Sequence, residues 1–267
     1  MDAPTTQPPL PPQPARPVPI RSSRPGSDGE HLVQLRTGTT ARADKFYAEQ
    51  VLDRLNARMR EFVARQEMFF LATADRHGSC DSTFRAGPPG FLHVLDDTTL
   101  AYPEYRGNGV QASLGNIEEN AQVGILMVDF VRDRIGLHVN GAARVLADAD
   151  MRRERPGLPT DPAPGRRPEV WVVVSVDEAY VHCSKHIPHL QKVPLTGPGR
   201  SWGTDDFRRK GGDFFGAAAE AGERGPYAPP PRAGRTPWKE EPTEPVAPPS
   251  RTSSGSGFVS RLLRRRS

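Results

Sequence analysis

The chain has 267 residues, 36% of them hydrophobic, and a formal net charge of +4. That is enough apolar material for one modest core, and mixed acidic residues with only 7% aromatics argue against nucleic acid as a partner. Two cysteines make no disulfide framework, the N-terminus lacks a basic start followed by an apolar stretch, and no apolar run approaches the ~20 residues of a membrane span. The expected setting is therefore cytoplasmic, with no integral membrane contact.

Proline placement sets the expected boundaries. Nine of the first 25 residues are proline, and a second proline-rich stretch runs over 225–249 before Ser/Gly-rich and Arg-rich residues. Residues 1–28 and 196–267 read as disordered segments that cannot bury enough apolar surface to order themselves, leaving a folded domain over 30–195. The tail end, Phe258-Val-Ser-Arg-Leu-Leu-Arg-Arg-Arg266, reads either as a solubilising tail or as a short basic amphipathic segment.

Within the domain, Ala48, Leu52, Leu55, Met59 and Phe62 recur at steps of four and three, which predicts one amphipathic helix over 44–66 with Asp44 as its cap. Strands follow over 67–74 and 79–85 around the turn Asp75-Arg-His-Gly78. A second hairpin is expected over 91–95 and 98–102 across Asp96-Asp97, after the break Gly87-Pro-Pro-Gly90. A short helix over 110–120 precedes long strands over 122–130 and 134–146. Residues 151–168 read as a surface connection. The run Val170-Trp-Val-Val-Val174 is continuous rather than alternating, as in a strand covered on both faces. Antiparallel strands at hairpin spacing with helices set apart predict a β-barrel or α+β fold.

One loop stands out for its chemistry. Tyr102-Pro-Glu-Tyr-Arg-Gly-Asn-Gly109 combines a strand end, an arginine, two glycines and an asparagine just before a helix N-terminus, a set suited to an anionic phosphate. Arg85, at the end of the second strand, and Arg106, with the backbone of Gly107 and Asn108, are the candidate phosphate ligands, assisted from the helix by Ser113 and Asn116. Gly87 allows either close backbone approach to a ligand or simple turn geometry. Tyr102 is either a ring-flanking residue or an ordinary pleat residue, and His138 either contacts a ligand edge or is structural. His182, Cys183, His186 and His189 are good metal ligands by type, but strand alternation points His182 and Cys183 to opposite faces, and no metal site is expected. Cys183, near Lys185 and His186, is open to reading as a reactive thiol or an inert one.

The order of these parts resembles the pyridoxamine 5'-phosphate oxidase-like family over about 44–190. The carrying residues are Phe69-Phe-Leu-Ala-Thr-Ala-Asp-Arg-His-Gly78, Arg85-Ala-Gly-Pro-Pro-Gly-Phe91, Leu95-Asp-Asp-Thr-Thr-Leu-Ala-Tyr102, Gly107-Asn108, Leu114-Gly-Asn116, Asn120 and Val139-Asn-Gly-Ala-Ala-Arg-Val145. The ending Ala179-Tyr-Val-His-Cys-Ser-Lys-His-Ile187 resembles that of a poorly characterised bacterial branch. The resemblance implies an FMN-binding split β-barrel, a homodimer with the flavin at the subunit interface, and a barrel closed near the cofactor by Cys183 and His186.

It also implies an FMN-dependent oxidoreductase passing hydride or electrons to a small-molecule substrate or electron acceptor. Pyridoxamine phosphate oxidation itself is disfavoured, because no Arg-x-His motif is found in the C-terminal half. A third class is a binding barrel loaded with deazaflavin or haem. Haem would call on His138 or His186, and a deazaflavin's longer acidic tail on Arg144 or Lys185.

Overall fold

The computed structural model describes residues 24–161, 166–194 and 213–222. The proline-rich expectation for 1–28 lies outside the described residues up to position 23, and the Arg-rich tail lies outside them altogether. Residues 213–222 form a separate short unit. In it the Asp213 carboxylate accepts from Ala217 and Ala218 at the start of a helix, Ala217–Gly222.

Two helices precede the sheet. Helix α1 (Asp28–Thr37) starts at Ser27, whose Oγ accepts from Glu30 N at 3.2 Å while the Glu30 carboxylate accepts from Ser27 N at 2.7 Å. This reciprocal capping box is legible in Ser27-Asp-Gly-Glu30, although the apolar period does not extend that far. Gly38, at φ 67°, ends the helix in the left-handed conformation.

The single helix expected over 44–66 is in fact three elements. Helix α2 (Thr40–Gln50) contains Asp44 in its interior, where it accepts from Arg24 at 2.8 Å instead of capping. Strand β1 (Val51–Leu52) pairs with the last strand of the sheet. Helix α3 (Ala57–Ala64) is capped by Asn56, which accepts from Met59 N. The apolar stripe is correct from Leu55 onward, since Leu55, Met59 and Phe62 all join the core. The break falls where Leu55 N instead donates to Asp97 O and Asn56 offers a better cap than a helix interior residue.

The sheet strands are β2 (Met68–Ala74), β3 (Cys80–Ala86), β4 (His93–Val94), β5 (Thr99–Glu104), β6 (Gln122–Asp129), β7 (Ile135–Ala147) and β8 (Val170–His182). Helices α4 (Ala112–Glu119) and α5 (Asp148–Glu154) lie between them in sequence. All pairings are antiparallel, in the order β3-β2-β6-β7-β8-β5-β4 with β1 on β8, which gives an α+β split β-barrel. The expected hairpins hold, with Gly78 at φ 81° in the first turn and His93↔Ala101 in register in the second.

Period-2 alternation decides what each strand buries. Phe69, Leu71, Leu100, Tyr102, Ile125, Val139, Val172 and Val174 point into the main core beneath α3. On β8, Trp171 and Val173 point the other way, into a second cluster with Ala101 and Met151. The expected two-sided cover of this strand is thereby met. It also corrects the reading of 151–168 as surface connection, because that segment begins in α5 and Met151 is fully buried. Asp148 fixes the cluster by accepting from Trp171 Nε1 at 2.7 Å.

The sheet's outer face carries a cross-strand row of Phe84, Phe70, Leu126, His138 and Tyr180. His138 stacks on Tyr180 with ring centres 4.7 Å apart and shares a 2.9 Å hydrogen bond with His182.

The β7–β8 register shifts at Asn140/Gly141, where a Cβ on Gly141 would lie 2.0 Å from the Ser175 carbonyl oxygen. Gly141→Ala should therefore cost about 3 kcal/mol, read as a lower denaturant midpoint. Burial, and secondarily the His182 ring, holds the His138 imidazole below its ordinary value, so the unfolded chain binds that proton more readily. Stability should be full above about pH 6.5 and fall as pH drops further. Denaturation curves of His138→Phe should show a smaller loss between about pH 8 and about pH 5.5 than wild type.

Candidate functional site

Arg85 stands opposite Phe69 in the β2–β3 ladder, so it shares the inward face of β3 with Asp81 and Thr83. Its guanidinium is held from four directions. Nε donates to Glu104 Oε2 at 3.0 Å, Nη1 to Thr83 Oγ1 at 2.9 Å and to the Phe84 carbonyl at 3.2 Å, and Nη2 to Ser113 Oγ at 3.3 Å. Ser113, 4% exposed in the first turn of α4, passes its own hydroxyl proton toward Asp81 Oδ2 at 3.3 Å. The structure thus joins Arg85 to Ser113, as the sequence suggested, and adds two carboxylates that sequence reasoning did not single out.

Glu104 is the more consequential of these. It follows Leu100 and Tyr102 at strand period, so its side chain turns toward the same interior, and the Arg85 and Glu104 side chains are 18% and 14% exposed. Burial pushes the Glu104 carboxyl up, and Arg85 offsets part of that rise. The signal was present in the alternation itself, since an acidic residue at an inward position demands a partner.

Beyond Glu104 the chain enters the loop to α4, and a cavity of about 440 Å³ is lined by Glu104, Arg106, Gly107, Asn108, Gln111 and Glu169. Asn108 shapes the loop by accepting from Val110 N at 3.0 Å, and Gly109 adopts φ 85°. Gln111, the residue before α4, also has a positive φ of 59°. A side chain in that region costs on the order of 1–3 kcal/mol and persists only where its surroundings hold it there. The three expected loop ligands therefore surround one cavity, and Glu104 connects that cavity to Arg85.

The remaining candidates lie elsewhere or have structural partners. Tyr102 is fully buried in the core, edge-on to Phe69 at 5.0 Å, and its hydroxyl has no hydrogen-bond partner. Burial, with the Glu104 charge second, raises its hydroxyl far above the ordinary tyrosine range. Gly87 accommodates Phe91, whose Cγ would lie 2.4 Å from an added Cβ, so packing alone requires this glycine. Asn116 donates to the buried Thr73 hydroxyl at 3.0 Å and ties α4 to β2. His138 is on the outer sheet face, opposite to Arg85. Cys183 is exposed, its Sγ accepts from Lys185 N at 3.3 Å, and His186 has φ 66°.

The donor set suits the phosphate end of FMN. A guanidinium fixed by Thr83 and Ser113, a hydroxyl at the start of a helix and an arginine-bearing loop around a cavity are groups that bind phosphate. The fit has one internal competitor, the Glu104 carboxylate already seated on Arg85.

No helix among the described residues is long and apolar enough to cross a membrane. No curated protein matches the sequence. Several solved structures are similar to it. HupZ from Group A Streptococcus is 20% identical, with 48% of this chain and 94% of that chain covered and a TM-score of 0.33. A protein from Lactobacillus delbrueckii titled a putative pyridoxamine 5'-phosphate oxidase is 21% identical, with 49% and 98% covered and a TM-score of 0.36. A structure titled F420 reductase is 18% identical, with 45% and 94% covered and a TM-score of 0.31. Residues 55–183, from the buried Leu55 to the residue after β8, match the sequence model described as pyridoxamine 5'-phosphate oxidase, which supports assigning that segment to the pyridoxamine 5'-phosphate oxidase-like family.

Proposed function

We propose that this protein is a cytoplasmic FMN-dependent oxidoreductase acting on a small molecule, and that it works as a homodimer with the flavin held between subunits. The observation that carries the reading is Arg85, fixed by Ser113 at the start of α4 and connected through Glu104 to the cavity lined by Arg106 and Asn108. Arg85, Ser113, Arg106 and the backbone of Gly107 and Asn108 would hold the phosphate. When bound, FMN supplies hydride or electron transfer, while the chain supplies position and electrostatics.

Phe70 and Phe84 support the dimer. They meet edge-to-face at 5.7 Å on the outer sheet face, yet they are 39% and 50% exposed. Covering such a pair is the kind of gain that favours association. A haem ligated through His138 Nε2 would first have to break the hydrogen bond to His182.

The test is FMN binding by the purified protein, followed as flavin absorption and as quenching of FMN fluorescence. Arg85→Lys keeps the charge and removes the fork, and it should weaken binding about tenfold to a hundredfold. Arg106→Ala should weaken it as well, without altering the fold. A wild-type protein that carries no flavin and leaves FMN fluorescence unchanged would reject the assignment.

A further inference from the structure

We propose that Glu104 is a built-in counter-ion that competes with the ligand's phosphate for Arg85, so that occupancy of the site takes up one proton on Glu104. This rests on the flavin reading of the same site and adds a residue that sets its affinity.

Arg85 has five N–H donors by its chemistry. Four contacts already engage them, to Glu104, Thr83, the Phe84 carbonyl and Ser113. An arriving phosphate can gain a paired contact only along the edge that Glu104 and Ser113 now share. Ser113 tolerates an anion there, because its hydroxyl can turn from Asp81 toward a phosphate oxygen. Glu104 does not, because a carboxylate and a phosphate on one guanidinium place like charges in contact.

The groups around Glu104 sharpen this conflict. From its own strand comes the buried Tyr102 hydroxyl, which has no partner. Strand β3 provides Arg85 and, through Ser113 of α4, Asp81. The loop provides Tyr105 and Arg106, and the residue before β8 provides Glu169, which lines the same cavity. Arg106, Glu104 and Glu169 thus line the cavity before any ligand arrives, Arg85 and Asp81 adjoin it through Glu104 and Ser113, and a phosphate dianion would add two further negative charges. A proton from solvent on Glu104 removes one of those charges and releases Arg85. It also turns Glu104 into a donor that can bond a phosphate oxygen. The carboxyl is already biased toward its neutral form by burial.

The test compares wild type with Glu104→Gln, which keeps shape and hydrogen bonding while removing the charge. Titrations run above about pH 7, where the phosphate of FMN is already largely dianionic. FMN affinity of the wild type should rise as pH falls, by up to about tenfold per pH unit for one coupled proton. The calorimetric heat of FMN binding should depend on the buffer's ionisation enthalpy, corresponding to uptake of close to one proton. Glu104→Gln should bind FMN at least tenfold more tightly at the upper end of the range, with affinity and heat indifferent to pH and buffer. Riboflavin, which lacks the phosphate, should show no proton uptake with either protein.

Wild-type heats that do not depend on buffer would overturn the proposal without recourse to the variant. Binding by Glu104→Gln that is equal to or weaker than wild type would overturn it too. If neither protein binds FMN at any pH, the flavin reading itself falls and this inference falls with it.

Discussion

The antiparallel pairing of β8 with its three neighbours is the constraint on which the rest of the structure depends. This strand, Val170–His182, hydrogen-bonds to β7 along almost its whole length, to β5 at its start and to β1 toward its end. Its inward residues Val172, Val174 and Val176 fill the main core, while Trp171 and Val173 fill the smaller cluster beneath α5. A one-residue slip would exchange these two sets and leave Trp171 in the space of a valine. The register is held by the bulge at Gly141, midway along the β7–β8 ladder, and by the indole hydrogen bond to Asp148 at its end.

That register also places the candidate site. Glu104 stands opposite Val170 at the first pair of the β5–β8 ladder, and the chain leaves the sheet immediately afterward to form the loop around the cavity. Arg85 arrives from the far edge of the sheet, where β3 pairs only with β2 among the described strands. Sheet curvature brings these two ends of the strand order together, and helix α4 bridges them, with Ser113 on Arg85 and Asn116 on Thr73. Arg85, Glu104 and Ser113 therefore sit on rigid strand and helix elements, while Arg106, Gly107 and Asn108 sit on the loop that these elements support.

Most of the sheet was legible in the sequence because its signals are local. Alternation, the Asp75-to-Gly78 turn and the Asp96-Asp97 turn fix each hairpin within about ten residues. What was not legible depends on partners distant in sequence. Val51 and Leu52 fit a helical stripe as well as a strand, and only the free edge of β8 decides between them. Met151 lies in an Arg-rich, proline-flanked segment, and its burial follows from Trp171 projecting to that side. At the site, the likeness in order of motifs pointed to Arg85, Ser113 and the Arg106 loop, which the structure gathers around Glu104. It also pointed to Tyr102 and His138, whose places in the core and on the outer face are set by strand parity rather than by chemistry.

The same interaction that prepares Arg85 for an anion also occupies it. A guanidinium at the end of a strand and partly removed from water needs a counter-charge, because an unpaired buried cation is costlier than a paired one. Glu104 meets that need, and Thr83 and Ser113 fix the orientation of the group. An arginine held this way loses little side-chain freedom when a ligand arrives, which favours binding. It also presents much less net charge, which opposes binding. Preorganisation and neutralisation thus come from one contact and pull affinity in opposite directions. The balance rests on whether the carboxylate can surrender its charge, and its partial burial makes the neutral form the easier of the two to retain once a second anion is present.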